Sequence, residues 1–149
     1  MKDLTVDECL RLLDEGRVAH VACIAEGQPY VTPMSYVMLG GLIHFRTALG
    51  RRVDALRRDP RLSISVASLG EGGSWRSVLV AGLARIIEDP AVEADVIAAL
   101  IHKYGESPLA FSRPAVLPKA RPVVAVDPSE TTGRASGDPL GPGIHPGRV

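Results

Sequence analysis

Six short runs of β-compatible residues, each closed by turn-forming residues, constrain this chain more than any other feature it has. They are RVAHVACIA from Arg17, PYVTPMSYVML from Pro29, LIHFRT from Leu42, RLSISVA from Arg61, WRSVLVAGLARIIED from Trp75 and RPVVAVD from Arg121. Glu26-Gly27-Gln28 and Gly40-Gly41 separate the first three, and turns this short join antiparallel strands. RLSISVA alternates, with Leu62, Ile64 and Val66 on one face and Ser63 and Ser65 on the other, so one side meets a core. Pro33 has no N–H for a ladder and marks an edge, a bulge or a place where something else docks. Gly82, inside the longest run, predicts a bulge or bend.

Three helices fit between the strands. Thr5 and Glu8 are spaced as a capping box ahead of Cys9, Leu12 and Leu13, and Gly16 stops the helix, which spans about residues 6–15. A short helix follows Gly50, carries the apolar stripe Leu49, Val53 and Leu56, and ends at Asp59-Pro60. Asp89-Pro90 opens a longer one with Val92, Val96, Ile97, Leu100 and Ile101 as its buried stripe. The expected fold is mainly β: a small six-stranded antiparallel barrel with helices tucked at its ends. No strand, glycine-rich turn and helix follow one another in the manner of a nucleotide-binding Rossmann or P-loop unit. The domain is expected to span residues 1–127, and 128–149 reads as a Gly/Pro-rich tail, partly disordered.

At 149 residues the chain is one domain, and its 17 basic and 17 acidic side chains cancel, so no global field argues for nucleic acid or a membrane surface. No apolar run approaches the roughly 20 residues of a membrane helix. The start, MKDLTVDE, lacks a signal peptide's order of basic then apolar residues. Cys9 and Cys23 sit among apolar neighbours without metal-type spacing, which suits reduced core thiols of a cytoplasmic protein. Anion recognition, if there is any, has to be local.

Such a place exists in FRTALGRRVDALRRDP, which carries five arginines. Arg51 and Arg52 fall at a helix start, where the dipole disfavours a cation by about 0.3–1 kcal/mol each. A phosphate there reverses the sign. It accepts from the Thr47 hydroxyl, from free N–H groups of the first turn and from a forked guanidinium. The ordinary alternative is a solvated helix face on which Arg51 and Arg58 pair with Asp54, each pair contributing only about 0.3–0.5 kcal/mol. That alternative accounts for Arg57 and Arg58, at the favourable end of the helix, but not for Arg51 and Arg52.

The succession of strand hairpin, TALGRR, DALRRDPRL, SWRSVLVAGLARIIED and SETTGRASG resembles the pyridoxamine 5'-phosphate oxidase-like flavin-binding split barrels. It is most similar to their nitroimidazole-resistance-like, flavin-nucleotide-binding branch, over about residues 5–137. The resemblance implies a homodimer with FMN at the subunit interface and an oxidoreductase acting on a small molecule. Backbone groups near Pro33, Met34 and Ser35 would hold the pyrimidine end of the flavin ring. Thr47, Arg51 and Arg52 match the phosphate-binding positions, and Trp75 and Ser77 match a segment that reaches the flavin from the other subunit. Arg46, beside this segment, would contact the phosphate or orient an anionic substrate.

Two departures narrow the activity. The strand YVTPMSY lacks the basic residue and lysine that vitamin B6 oxidases carry there, which argues against that reaction. Arg46 stands where the nitroimidazole-resistance proteins usually place a histidine, so histidine chemistry does not transfer; His44 and His20 read as barrel-wall or interface residues. No catalytic side chain is assigned, since the cofactor would carry the redox chemistry. Two other readings stay open. One is a reductase using 8-hydroxy-5-deazaflavin, whose acidic tail Arg46, Arg57 or Arg58 would serve; the other is a non-catalytic flavin or heme carrier.

Overall fold

The computed structural model describes residues 1–105 and 121–136. In chain order the elements are β1 (Lys2–Asp3), α1 (Val6–Glu15), β2 (Ala19–Ala25), β3 (Gln28–Met34), β4 (Val37–Leu39), β5 (Leu42–Arg46) and α2 (Arg51–Arg58). They continue with β6 (Arg61–Leu69), β7 (Trp75–Leu83), β8 (Arg85–Ile87), α3 (Pro90–Tyr104), β9 (Val123–Val126) and β10 (Glu130–Ala135). Strands β1-β10-β7-β6-β2-β3 form one sheet and β4-β5-β9-β8 a second, with every pairing antiparallel. Among the described residues no pairing joins the two sheets, so the barrel is split rather than closed.

The mainly β barrel expected from the sequence is therefore the fold, built from more strands than the six runs. Two runs serve both sheets. PYVTPMSYVML breaks at Ser35-Tyr36 into β3 and β4, and WRSVLVAGLARIIED breaks at Ala84 into β7 and β8. Strands that change sheets at such corners hold the two layers together. The hairpin turns are local in origin. Glu26 and Gly27 have φ of 52° and 75°, the doubly positive pair that a two-residue type I′ turn requires between Ala25 and Gln28.

Between the sheets, Val21, Ile64, Val66, Val78 and Val80 face Ile43, Phe45 and Val124, and Cys9, Leu12 and Leu13 of α1 complete the same core. Full burial of side chains of this size contributes about 1.5–3 kcal/mol each. A second cluster lies on the far side of the four-stranded sheet, where Val96 and Leu100 of α3 pack on Val37 and Val123. β9 is covered on both faces, so all four of its residues are buried.

Some expectations need correction. Gly82 forms no bulge; it stays in register opposite Leu62, and a Cβ there would lie 2.7 Å from Val126 Cγ1. Close approach of the two sheets, not a bend, requires the glycine. Leu49 and Ile101 are 55 % and 56 % exposed. Leu49 precedes the helical turn, and Ile101 lies about 100° round the helix from buried Leu100. The domain also continues past residue 127, because β10 pairs with β7 from Glu130 opposite Ala81 to Ala135 opposite Arg76. Residues 137–149, on which disorder was expected, lie outside the described residues.

Where the C-terminal end of α3 meets the barrel, Lys103 Nζ is buried without a hydrogen-bond partner, 4.0 Å from the Tyr36 ring centroid and 5.5 Å from that of Tyr104. Tyr36 donates to the Leu13 carbonyl, and the Tyr104 hydroxyl accepts from the Tyr36 N–H at 3.1 Å. Burial pushes the Lys103 amine down to about 8 from its ordinary 10.5, with Arg17 adding to the shift and Asp14 opposing it. The ammonium is therefore held at a cost below pH 8. Between about pH 8 and 10.5 the unfolded chain keeps a proton that the folded chain has lost, so stability rises with pH across that window. Lys103→Met removes the cost and should stabilise the protein at pH 7 by about 1–2 kcal/mol, allowing for solvent around the partly buried side chain. Paired thermal melts at pH 7 and pH 10.5 check this; an advantage that does not shrink at the higher pH contradicts it.

Candidate functional site

The start of α2 is open. Gly50 caps it with φ 144° and no side-chain hydrogen bond, and a Cβ at that position would meet nothing within 4 Å. Thr47 precedes it and is buried to 3 % exposure, with its N–H donating to the Pro122 carbonyl at 3.1 Å. Arg52 reaches back across this end: Nη1 donates to Thr47 Oγ1 at 2.6 Å, and Nη2 donates to Thr32 Oγ1. Arg51 lies over the Tyr30 ring, 4.8 Å from its centroid, and Arg52 lies 5.8 Å from the same ring. Strand alternation puts Tyr30, Thr32 and Met34 on one face of β3. Arg51 is exposed, and among the described residues it makes no ion pair with Asp54.

A pocket of about 530 Å³ opens here. Six of the residues singled out in the sequence line it together: Pro33, Met34, Arg46, Thr47, Arg51 and Arg52. Tyr30, Thr32 and Arg121 line it too, and sequence reasoning missed them. Tyr30 and Thr32 had a signal in the two-residue period that ties them to Met34. Arg121 had none, because only the pairing of β5 with β9, with Arg46 opposite Val123, carries it to this place.

The pocket's electrostatics are one-sided. Among the described residues four arginines line it and no Asp or Glu does. Nε of Arg46 and Nε of Arg52 are buried without hydrogen-bond partners. Burial, and then the neighbouring Arg121, pull the Arg46 guanidinium below its ordinary value, while Glu93 on α3 opposes them. Orphaned N–H donors, an uncapped helix start and an arginine-lined space fit an oxyanion of phosphate size.

The other three candidates lie elsewhere. Ser35 is buried at the corner after β3 and does not line the pocket. Trp75 and Ser77 are on β7, opposite Leu69 and Ala67. The alternation of the six-stranded sheet turns them to its outer face, together with the exposed Ile24, Val31, Leu79 and Leu83. Pro33, opposite His20, is on that face as well, so pocket and apolar face meet at the edge strand β3. His44 is buried, with Nδ1 3.2 Å from the Leu42 carbonyl and its imidazolium disfavoured by burial; His20 is exposed. Cys9 and Cys23 are free and buried.

Comparisons with known proteins agree on the fold. A Rhizobium meliloti protein is 31 % identical over 87 residues, which cover 58 % of this chain and 56 % of that protein, little more than half its length. The crystal structure of an FAD-binding protein from Mesorhizobium loti superposes with a TM-score of 0.71 at 24 % identity, covering 91 % of this chain and 98 % of the other. A proposed 5-nitroimidazole antibiotic resistance protein from Bacteroides thetaiotaomicron gives 0.72 at 19 % identity, covering 90 % and 86 %. At such identities these two likenesses speak to fold. The profile of the family described as pyridoxamine 5'-phosphate oxidase matches residues 5–135, nearly the whole described chain, and the chain belongs to that family.

Proposed function

We propose that this protein binds a flavin nucleotide, FMN being the smallest that would suffice, and uses it as an oxidoreductase on a small molecule. The observation that carries the reading is the pocket lined, among the described residues, by four arginines and no carboxylate, in a chain whose formal net charge is zero. Thr47 and the first-turn N–H groups of α2 donate to the phosphate, and Arg51 and Arg52 neutralise it. Main-chain groups at Pro33 and Met34 run along the edge of the ring. Bound there, a flavin supplies hydride and single-electron exchange that no protein side chain offers. The chain's own part is to orient, neutralise and exclude water. Membership of the family and the shared fold with a flavoprotein of Mesorhizobium loti support this reading.

The same proposal includes a homodimer. Ile24, Val31, Leu79 and Leu83 leave an apolar sheet face open to water, a surface that suits a second copy of the chain. Trp75 and Ser77 stand on that face and would cover the flavin of the partner. The two free, buried thiols suit the reducing cytoplasm.

Purified protein tests the core claim directly. Its absorbance should show oxidised flavin, or the cofactor-free protein should take up FMN with quenching of flavin fluorescence. Deazaflavin and heme have different spectra, so a deazaflavin or heme spectrum would select one of the alternatives. A protein that neither carries nor takes up any of them sinks the proposal. Sedimentation at micromolar concentration tests the dimer separately.

A further inference from the structure

Arg52 is placed to set the direction of two hydroxyl protons. Its Nη1 donates to Thr47 Oγ1 at 2.6 Å and its Nη2 to Thr32 Oγ1. A guanidinium has five donors and no acceptor, so both threonine oxygens accept here and their own protons point elsewhere. The Thr47 proton has the neighbouring Ala48 carbonyl at a long 3.4 Å. Among the described residues the Thr32 proton has no acceptor. Pairing does not call for a hydroxyl at this position either, because Thr32 stands opposite Val21 and the ladder uses only its main chain.

Thr32 and Thr47 line the same pocket from different sheets, Thr32 on β3 and Thr47 directly after β5. The Arg52 fork therefore spans the split between the sheets and ties a hydroxyl on each side to one planar group. Arg52 makes no ion pair among the described residues, and its Nε is buried without a partner. A partly buried cation whose partners are neutral oxygens is completed by an anion. We propose that Thr32 is a phosphate-binding residue: its hydroxyl donates to the ligand from β3, as that of Thr47 does from the other wall, and Arg52 orients both. The ligand is a phosphate monoester or inorganic phosphate, and only the choice of a flavin as that ester rests on the reading above.

Titration of the full-length, cofactor-free chain with riboflavin and FMN, followed by flavin fluorescence, reads the contribution of the phosphate. Thermal-shift titration with inorganic phosphate, against chloride at equal ionic strength, probes the same site without any flavin. Thr32→Val should weaken FMN by at least about tenfold, and inorganic phosphate by a similar factor, with riboflavin unchanged to within about threefold. Thr32→Ser, which keeps the hydroxyl, should return FMN affinity to within about threefold of the original protein. A double-mutant cycle separates donation to the ligand from mere support of Arg52. In an Arg52→Met background Thr32→Val should still cost FMN at least about threefold, because the donated proton belongs to Thr32.

An unchanged ratio of FMN to riboflavin affinity in Thr32→Val overturns the assignment and leaves the flavin reading standing. A loss that disappears in the Arg52→Met background overturns it too, since Thr32 then acts only through Arg52. Stabilisation by phosphate that depends on the Thr32 hydroxyl, in a protein that takes up no flavin, keeps Thr32 as a ligand and rejects the flavin. A protein that responds to neither flavin nor phosphate rejects both.

Discussion

Replacing Arg51 and Arg52 together by alanine should weaken FMN binding by about a hundredfold or more and leave riboflavin within about threefold. Hydrogen bonds to a charged group contribute about 1.5–3 kcal/mol each, so losing two costs at least two powers of ten. Riboflavin lacks the phosphate and cannot feel that loss. Arg52 also ties Thr47 to Thr32, so the variant gives up two hydroxyl contacts within the fold. Those contacts are neutral–charged and partly exposed, and their loss should lower stability by only about 1–2 kcal/mol. A melting curve of the variant separates that effect from binding. Equal loss of FMN and riboflavin would show that the arginines hold the protein and not the phosphate.

A chain ended after residue 127 should fail to fold cooperatively, or should melt at least about 10 °C below the full chain. The sequence drew a domain boundary there, because the segment beyond it is rich in Gly, Pro and Ser. β10 lies beyond that boundary and closes the edge of β7 over six residue pairs, with β1 paired to its other side. Its removal strips a ladder of backbone bonds and uncovers α1, because Gly133 packs against Cys9 and Leu4. A loss of several kcal/mol moves the midpoint of a 149-residue chain by about 2–4 °C for each kcal/mol. Gly133→Val probes the same contact more gently: a Cβ there would sit 2.9 Å from Leu4 Cδ1, and overpacking of this kind costs about 1–3 kcal/mol. Circular dichroism melts of both variants decide the matter, and an unchanged midpoint for the shortened chain would remove β10 from the cooperative unit.

The features legible in the sequence share one property: their partners are a few residues away. Thr5 and Glu8 form the capping box with bonds of 3.2 and 2.8 Å, both across three residues. The alternation of Leu62, Ile64 and Val66 puts all three in the core. Gly50, Arg51 and Arg52 start a helix where the pattern placed one. Gly82 and Gly133 were misread or passed over because their reasons are distant, in Val126 and in Cys9 and Leu4. Trp75 and Ser77 are a third kind of case. Their strand was legible, but their outward turn, away from the pocket of their own chain, follows from the register with β6.

By itself the sequence determined the mainly β class, the hairpins, the three helices and the arginine-bearing helix start that forms half of the candidate site. Each follows from short-range sterics, periodicity or local hydrogen bonding, which a linear string records. Only the tertiary structure decided that two strands change sheets, that β10 belongs to the barrel, and that Tyr30, Thr32 and Arg121 join Arg51 and Arg52 around one pocket. Those outcomes depend on which backbone edges pair across tens of residues. Pairing register is selected by the burial of the whole core, and no short stretch of the chain contains that information.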